Sequence, residues 1–485
     1  MVFSSIKFMF IFMPIFFGIY YLVHFVPKRF RNKTRNIVLL LGSLTFYAVG
    51  TIGAPEHFAI FIISMVMDYF VGRLMEKNPK HKKAFLIAGV TLHLVFLGFF
   101  KYFNFVFGEI RDIFPNSNLE LGFKILLPIG ISFYTFQGIS YIVDVYRNKV
   151  PAEKSLINFC VYISMFEQLI AGPIVTYDHV RKDLPERQLK LKNVLEGLGI
   201  FIFGVGLKVL LANPINGLWR QANTIGFESL STILAWMCIA AYAFHIYFDF
   251  FGYSLMAIGL GQMLGFKLPK NFDFPYLAHS MTEFWRRWHI TLGSWFREYV
   301  YIPLGGNRKG TIKTIRNLLI VWLLTGIWHG AGYNFIMWGL FLFTVMIIEK
   351  YVLNKFFDKV PIVGRLYMLL LIPIMWSIFA IDDVSQMGEF FKRLFPFFGQ
   401  SMWSDFELDY VKYFKEYWYF FLAGIIFSTH LPFNLLKRLK ERADSDEKYN
   451  KLCQGVIVVI LISILAGSTY CMYKGFNDPF LYFRF

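Results

Sequence analysis

The chain has 485 residues, of which 56% are hydrophobic and 20% aromatic, and its mean hydropathy is +0.49. Charged residues make up 17%, against about 25% in soluble proteins, which excludes a soluble enzyme. The net charge of +17 falls in short Lys/Arg loops between apolar segments; that is the positive-inside pattern and carries no nucleic-acid signal.

In chain order, residues 8–26 are long and apolar without a small-residue cleavage site, and are expected to form a retained first span. The basic run from Lys28 to Arg35 follows that span, which places this loop in the cytoplasm. Spans follow near 36–54, 56–75, 84–107 and 123–146. Residues 155–175 have basic residues on both sides and contain Glu167 and Gly172, so a re-entrant segment is predicted. Further spans are predicted near 194–213, 229–262, 313–331, 333–352, 366–381, 417–435 and 454–473, with the 229–262 segment broken around Asp249 and Gly252. The expected fold is all-α: a polytopic membrane protein of about 11–12 transmembrane helices, one domain over 1–485, in the cell membrane. Residues 454–485 would supply the last transmembrane helix and an external aromatic tail. The cysteines Cys160, Cys238, Cys453 and Cys471 form no CxxC pair, so neither a metal site nor a disulfide framework is indicated.

His329 is the most informative residue. It lies within the apolar run from Leu318 to Ala331. An ionisable group at membrane depth costs several kcal/mol unless it meets a partner or a wet cavity, and imidazole is suited to proton transfer near neutral pH. The alternative is a histidine satisfied by a neighbouring helix. Gly326 and Gly330 flank it four apart, a spacing that lets helices approach closely.

The most polar long stretch runs from Asn271 to Lys309. At helical spacing Trp285, Trp288, His289, Leu292, Trp295, Phe296 and Tyr299 share one face, which predicts a single amphipathic helix over 282–302. Glu283 and Arg287, four apart, are expected to pair. The turn Pro303-Leu-Gly-Gly-Asn-Arg308 has backbone amides and cations suited to a phosphate.

The run from Asn271 to Arg308, together with Trp328-His329-Gly330, resembles the membrane-bound O-acyltransferase family, specifically its alginate O-acetylase branch. Leu127-Pro-Ile-Gly-Ile-Ser-Phe-Tyr-Thr-Phe-Gln137, Gln168-Leu-Ile-Ala-Gly-Pro-Ile174 and Tyr247-Phe-Asp-Phe-Phe-Gly-Tyr-Ser254 match that branch in the same order. Leu255 stands where the branch carries an acidic residue. The resemblance implies a ring of helices around a central tunnel, with a thioester entering from the cytoplasm and an acceptor hydroxyl from outside. His329 matches the catalytic histidine and His289 the second one, with Trp285, Trp288, Arg297, Asn307, Arg308 and Trp328 around the donor or substrate. No tightly bound cofactor is implied; acetyl-CoA would be the co-substrate. The partners implied are a polysaccharide acceptor and an extracellular acetyltransferase of the SGNH-hydrolase type, in contact with membrane lipid and without nucleic acid.

The C-terminal run Asn477-Asp-Pro-Phe-Leu-Tyr-Phe-Arg-Phe485 is either an interfacial aromatic anchor or something more specific. It resembles the aromatic end of the small partner in teichoic acid D-alanylation, which makes Tyr482 an acyl-relay candidate. The expected activity is O-acetylation of an extracellular or cell-wall polysaccharide. The rival readings are D-alanyl transfer from a carrier protein to teichoic acid, and a polysaccharide or ion transporter.

Overall fold

The structure is a computed structural model, and it describes residues 2–115, 123–169, 172–398, 408–443 and 447–476. Every regular element among them is helical. Among the described residues eight helices are long and apolar enough to cross a membrane, or nine if the pair Asp409–Phe427 and Leu431–Leu439, bent by 62°, counts as one span. The sequence predicts about twelve. The difference lies in helices that do form but are short or charged. Ile131–Tyr146 has 16 residues, about 24 Å at 1.5 Å per residue, less than the ~30 Å hydrocarbon layer. Lys28–Gly50 opens on five cations, and Thr311–His329 carries Lys313 and Arg316 in its first two turns. In the 155–175 segment two short helices, Leu156–Ser164 and Phe166–Leu169, are interrupted at Met165.

Contacts divide the chain into two units. The first comprises Met1–Leu198, Ala257–Pro269 and Ser294–Pro303; the second comprises Gly199–Met256, Lys270–Gly293 and Leu304–Phe485.

The predicted break at Asp249 and Gly252 is absent: Thr232–Leu264 is one helix of 33 residues. Both residues instead serve contacts with the preceding helical segment. A Cβ on Gly252 would lie 2.7 Å from the carbonyl oxygen of Gly204, so the two backbones touch, as small residues permit in membrane helices. Asp249 pairs with Lys208 at 2.5 Å, both fully buried. The polar and small residues that resemble helix breakers are docking points.

Candidate active site

The second unit brings both histidines into one aromatic cluster. His329 is the last residue of the helix Thr311–His329. Gly330 to Gly332 turn the chain directly into Tyr333–Ile348. The two helices pack tightly because Gly326 lies against the carbonyl of Phe335, and Gly339 against that of Trp322; a side chain at either glycine would push the helices apart. This places the His329 ring edge-on to Trp338 at 5.1 Å and to Phe379 at 5.2 Å, with Trp328 at 4.9 Å. Trp328 is also 6.2 Å from His289, so one indole stands next to both imidazoles. Phe250 meets His289 edge-on at 4.6 Å. His329 is 5% exposed and His289 1%.

The predicted single helix over 282–302 is interrupted at His289. Met281–Arg287 ends, Trp288 is extended, His289 takes φ +44°, and Ile290–Phe296 begins. A left-handed backbone is uncommon for a non-glycine residue, and histidine is among the few types enriched there. The surroundings over-determine it. Ser280 Oγ accepts the Glu283 N–H at 3.1 Å, and the Glu349 carboxylate accepts the N–H groups of Met281 (2.6 Å) and Thr282 (3.0 Å). These cap the first short helix. The predicted Glu283–Arg287 pair forms at 2.6 Å.

Asn271 caps the second short helix from a distance. Its carbonyl oxygen accepts the N–H of Ile290 at 2.9 Å. Its Oδ1 accepts the N–H of Thr291 at 3.2 Å and the hydroxyl at 2.9 Å. Asn271 therefore clamps the residues that follow His289. The sequence marks it only as the start of a motif, because its partners lie 20 positions away. Asn271→Ser keeps a neutral acceptor and should leave much of folding and transfer intact. Asn271→Ala orphans the Thr291 donors and should cost about 2–3 kcal/mol, read as a lowered melting temperature and reduced transfer. Equal behaviour of the two variants would show that the clamp plays no part.

Burial lowers the His289 pKa from 6.5 to about 3, so its ring is neutral at pH 7. The folded state refuses a proton that the unfolded chain takes up below pH 6.5. The resulting stabilisation is complete above that pH and is lost as the pH falls toward 3. From pH 7 to pH 5 the loss through this residue is on the order of 2 kcal/mol. His289→Asn, which tolerates the left-handed backbone, should shrink the fall in melting temperature over that interval. An unchanged fall would assign the acid sensitivity to other groups.

The remaining predicted site residues divide. Trp285 meets Trp322 at 5.1 Å and Trp338 at 5.5 Å, and Trp288 meets Trp376 at 4.9 Å, so both belong to the aromatic cluster. Beyond the break the helical face passes to the first unit. There Trp295 stacks on Phe136 at 3.8 Å, and Tyr299 donates to Asp144 at 3.0 Å. Arg297 is exposed in that unit. Asn307 and Arg308 are exposed on a turn of the second unit. Its Leu304 and Gly306 carbonyls accept from Asn317 at 3.3 and 2.9 Å. The Arg308 amide is engaged inside that turn with the Gly305 carbonyl at 3.4 Å. Tyr482 lies outside the described residues. The last described residue, Phe476, accepts from Asn213 Nδ2 at 3.3 Å, beside a cleft of about 920 Å³ that Arg220, Gln221 and Tyr417 also line.

Two tryptophans of the cluster hold unused donors. The indole N–H groups of Trp285 and Trp338 are buried and, among the described residues, have no hydrogen-bond partner. A polar group of that kind costs free energy unless something accepts from it. A carbonyl oxygen bound among these rings would serve, and so would the oxyanion that forms from it.

Comparison with known proteins identifies the family. The family model of membrane-bound O-acyltransferases matches residues 149–381, a span that contains both histidines. A Pseudomonas syringae protein described as a probable alginate O-acetylase is 39% identical over 403 residues, covering 82% of this chain and 76% of that one. The peptidoglycan O-acetyltransferase of Helicobacter pylori is 34% identical, covering 83% and 81%. The teichoic acid D-alanyltransferase of Bacillus subtilis is 28% identical, covering 69% and 85%. With spans on either side of a buried imidazole pair and relatives of this kind along four fifths of its length, the chain belongs to the membrane-bound O-acyltransferase family and is a multi-pass O-acyltransferase of a bacterial membrane.

Proposed function

We propose that this enzyme moves acetyl groups from a cytoplasmic thioester, acetyl-CoA, across the membrane for O-acetylation of an extracellular or cell-wall polysaccharide. The observation that carries the reading is the buried pair His289 and His329 beside the partnerless indole donors of Trp285 and Trp338. His329 takes the proton of the acceptor hydroxyl as its oxygen attacks the thioester carbonyl carbon. Negative charge moves to the carbonyl oxygen, where the indole donors receive it. The carbon–sulfur bond then breaks, and the imidazolium returns the proton to the departing thiolate. An ester and a free thiol result. His289, neutral and conformationally fixed, orients the donor and does not take the proton.

Acetyl is favoured over D-alanyl by the relatives: 34–39% identity over 82–83% of the chain for the acetyl-named proteins, against 28% over 69%. In the same reading Tyr482 accepts the acetyl first and passes it to a separate extracellular acetyltransferase of the SGNH-hydrolase type. A phenyl ester is an activated ester (phenol pKa about 10), so onward transfer runs downhill.

The test supplies membranes containing the full chain with labelled acetyl-CoA or labelled D-alanyl carrier, followed by mass spectrometry of the C-terminal peptide. Label is expected from acetyl-CoA, on Tyr482, and absent in Tyr482→Phe. Label from the D-alanyl carrier alone would overturn the acetyl reading. Polymer acetylation that survives Tyr482→Phe would remove the relay.

A further inference from the structure

The first unit buries two guanidinium groups that, among the described residues, have no carboxylate within ion-pair distance. Arg35 and Arg187 are each 5% exposed. Arg187 donates to the Tyr20 hydroxyl at 3.0 Å and to Asn36 Oδ1 at 2.7 Å, and it lies over the Phe266 ring at 4.5 Å. Arg35 donates to Asn32 Oδ1 at 3.3 Å and to the Arg187 carbonyl at 3.4 Å. All of these partners are neutral. Among the described residues, Nε of Arg35 and Nη2 of Arg187 have no hydrogen-bond partner.

Glu167 is an acid whose field reaches Arg187. It is fully buried, and burial raises its pKa to about 7. Burial therefore weakens the negative charge it can set against the two cations. Arginine cannot escape by losing its proton. Two such cations at low dielectric call for an anion.

The surroundings are shaped for one. Arg35 opens on a cleft of about 210 Å³ walled by Tyr21, His24, Lys190, Leu191 and Val194. Leu191 and Val194 belong to the first turn of the helix Leu191–Gly206, and that turn contains no acidic residue. A helix start offers orphan N–H donors and the positive end of the macrodipole. Here that start converges with a buried, partly unused guanidinium and with Lys190 at the rim. The exposed apolar side chains of Leu22, Phe25 and Leu191 lie in or next to the same wall.

We propose that this cleft is a binding site for a phosphate ester. A tetrahedral phosphate has oxygens enough for the Arg35 fork, the Lys190 ammonium and the helix N–H groups at once. That chemistry is shared by the headgroup of an anionic phospholipid, whose chains the exposed apolar residues would meet, and by a soluble phosphate ester. The inference goes beyond the acyl-transfer reading and does not depend on it.

The test uses the purified full chain in detergent, with binding read by native mass spectrometry and by equilibrium titration. One arm adds phosphatidylglycerol, with diacylglycerol as the phosphate-free control. The other arm adds coenzyme A, with phosphate-free pantetheine as control. We expect binding in one arm that needs the phosphate. It should weaken by at least about ten-fold in Arg35→Gln and in Lys190→Glu, each of which removes a charge-assisted contact. The arm that binds identifies the source. Lys190 is exposed, so its variant keeps the test decisive should Arg35→Gln fail to fold. Absence of phosphate-dependent binding in both arms, or Lys190→Glu binding as tightly as the parent, overturns the proposal.

Discussion

His329→Gln should abolish acyl transfer while leaving a folded protein. Glutamine keeps a hydrogen-bonding end on a side chain of similar length but cannot carry the hydroxyl proton through the transition state. A positioned general base contributes roughly 10²–10⁴-fold, about 3–5 kcal/mol of barrier, and the loss should appear in kcat. Folding should survive, because the position is held by backbone features that do not use the imidazole: the close approach of Gly326 to Phe335 and of Gly339 to Trp322. The remaining packing loss against Trp338 and Phe379 is that of one ring edge. His289→Asn makes the informative comparison. If His289 orients the donor, its variant should raise KM more than it lowers kcat. Transfer of labelled acetyl by membranes at matched expression separates the two patterns. A His329→Gln enzyme retaining more than a tenth of parental kcat would remove His329 as the base, and the proposed chemistry with it.

What the sequence made legible follows from where the physics is local. His329 stands out because an ionisable residue within an apolar run is costly wherever it lands. The i, i+4 pair Glu283–Arg287 needs only helical spacing, and it forms. The interruption at His289 leaves no such trace. Neither glycine nor proline marks it, and a left-handed φ on histidine is imposed by caps from Asn271 and Glu349, which lie 18 and 60 positions away. Helical periodicity therefore ran straight through, and it put Trp295 and Tyr299 on the His289 face when they belong with Phe136 and Asp144 of the first unit. Asp249 and Gly252 failed in the opposite direction. Both carry strong local signals for a break, yet their partners Lys208 and Gly204 lie more than 40 positions upstream, where no local window finds them.

Lys208 and Asp249 also give the largest expected change in stability. Both are fully buried with Nζ and Oδ1 2.5 Å apart, and Lys208 donates to Asn213 at 2.8 Å as well. Lys208 lies in a π-helical turn, Leu207–Ala212, a local widening of the kind often kept at functional sites. A buried intramembrane ion pair is by default a functional hypothesis, so an architectural role has to be separated from a catalytic one. Lys208→Met removes the counterion and leaves the Asp249 carboxylate in a low-dielectric contact. Breaking a buried pair in this way costs about 3–5 kcal/mol, enough to lower yield and melting temperature sharply. Replacing both partners, Lys208→Met with Asp249→Leu, removes the uncompensated charge, and such exchanges are often neutral. The glycine contact of Gly204 with Gly252 holds the two helical segments together without the charges. The double variant should therefore recover most of the lost stability and, since neither residue belongs to the aromatic cluster around His329, the transfer activity too. A double variant that folds like the parent and transfers nothing would show the pair to be part of the chemistry. Two single losses that simply add would show that the residues are not coupled at all.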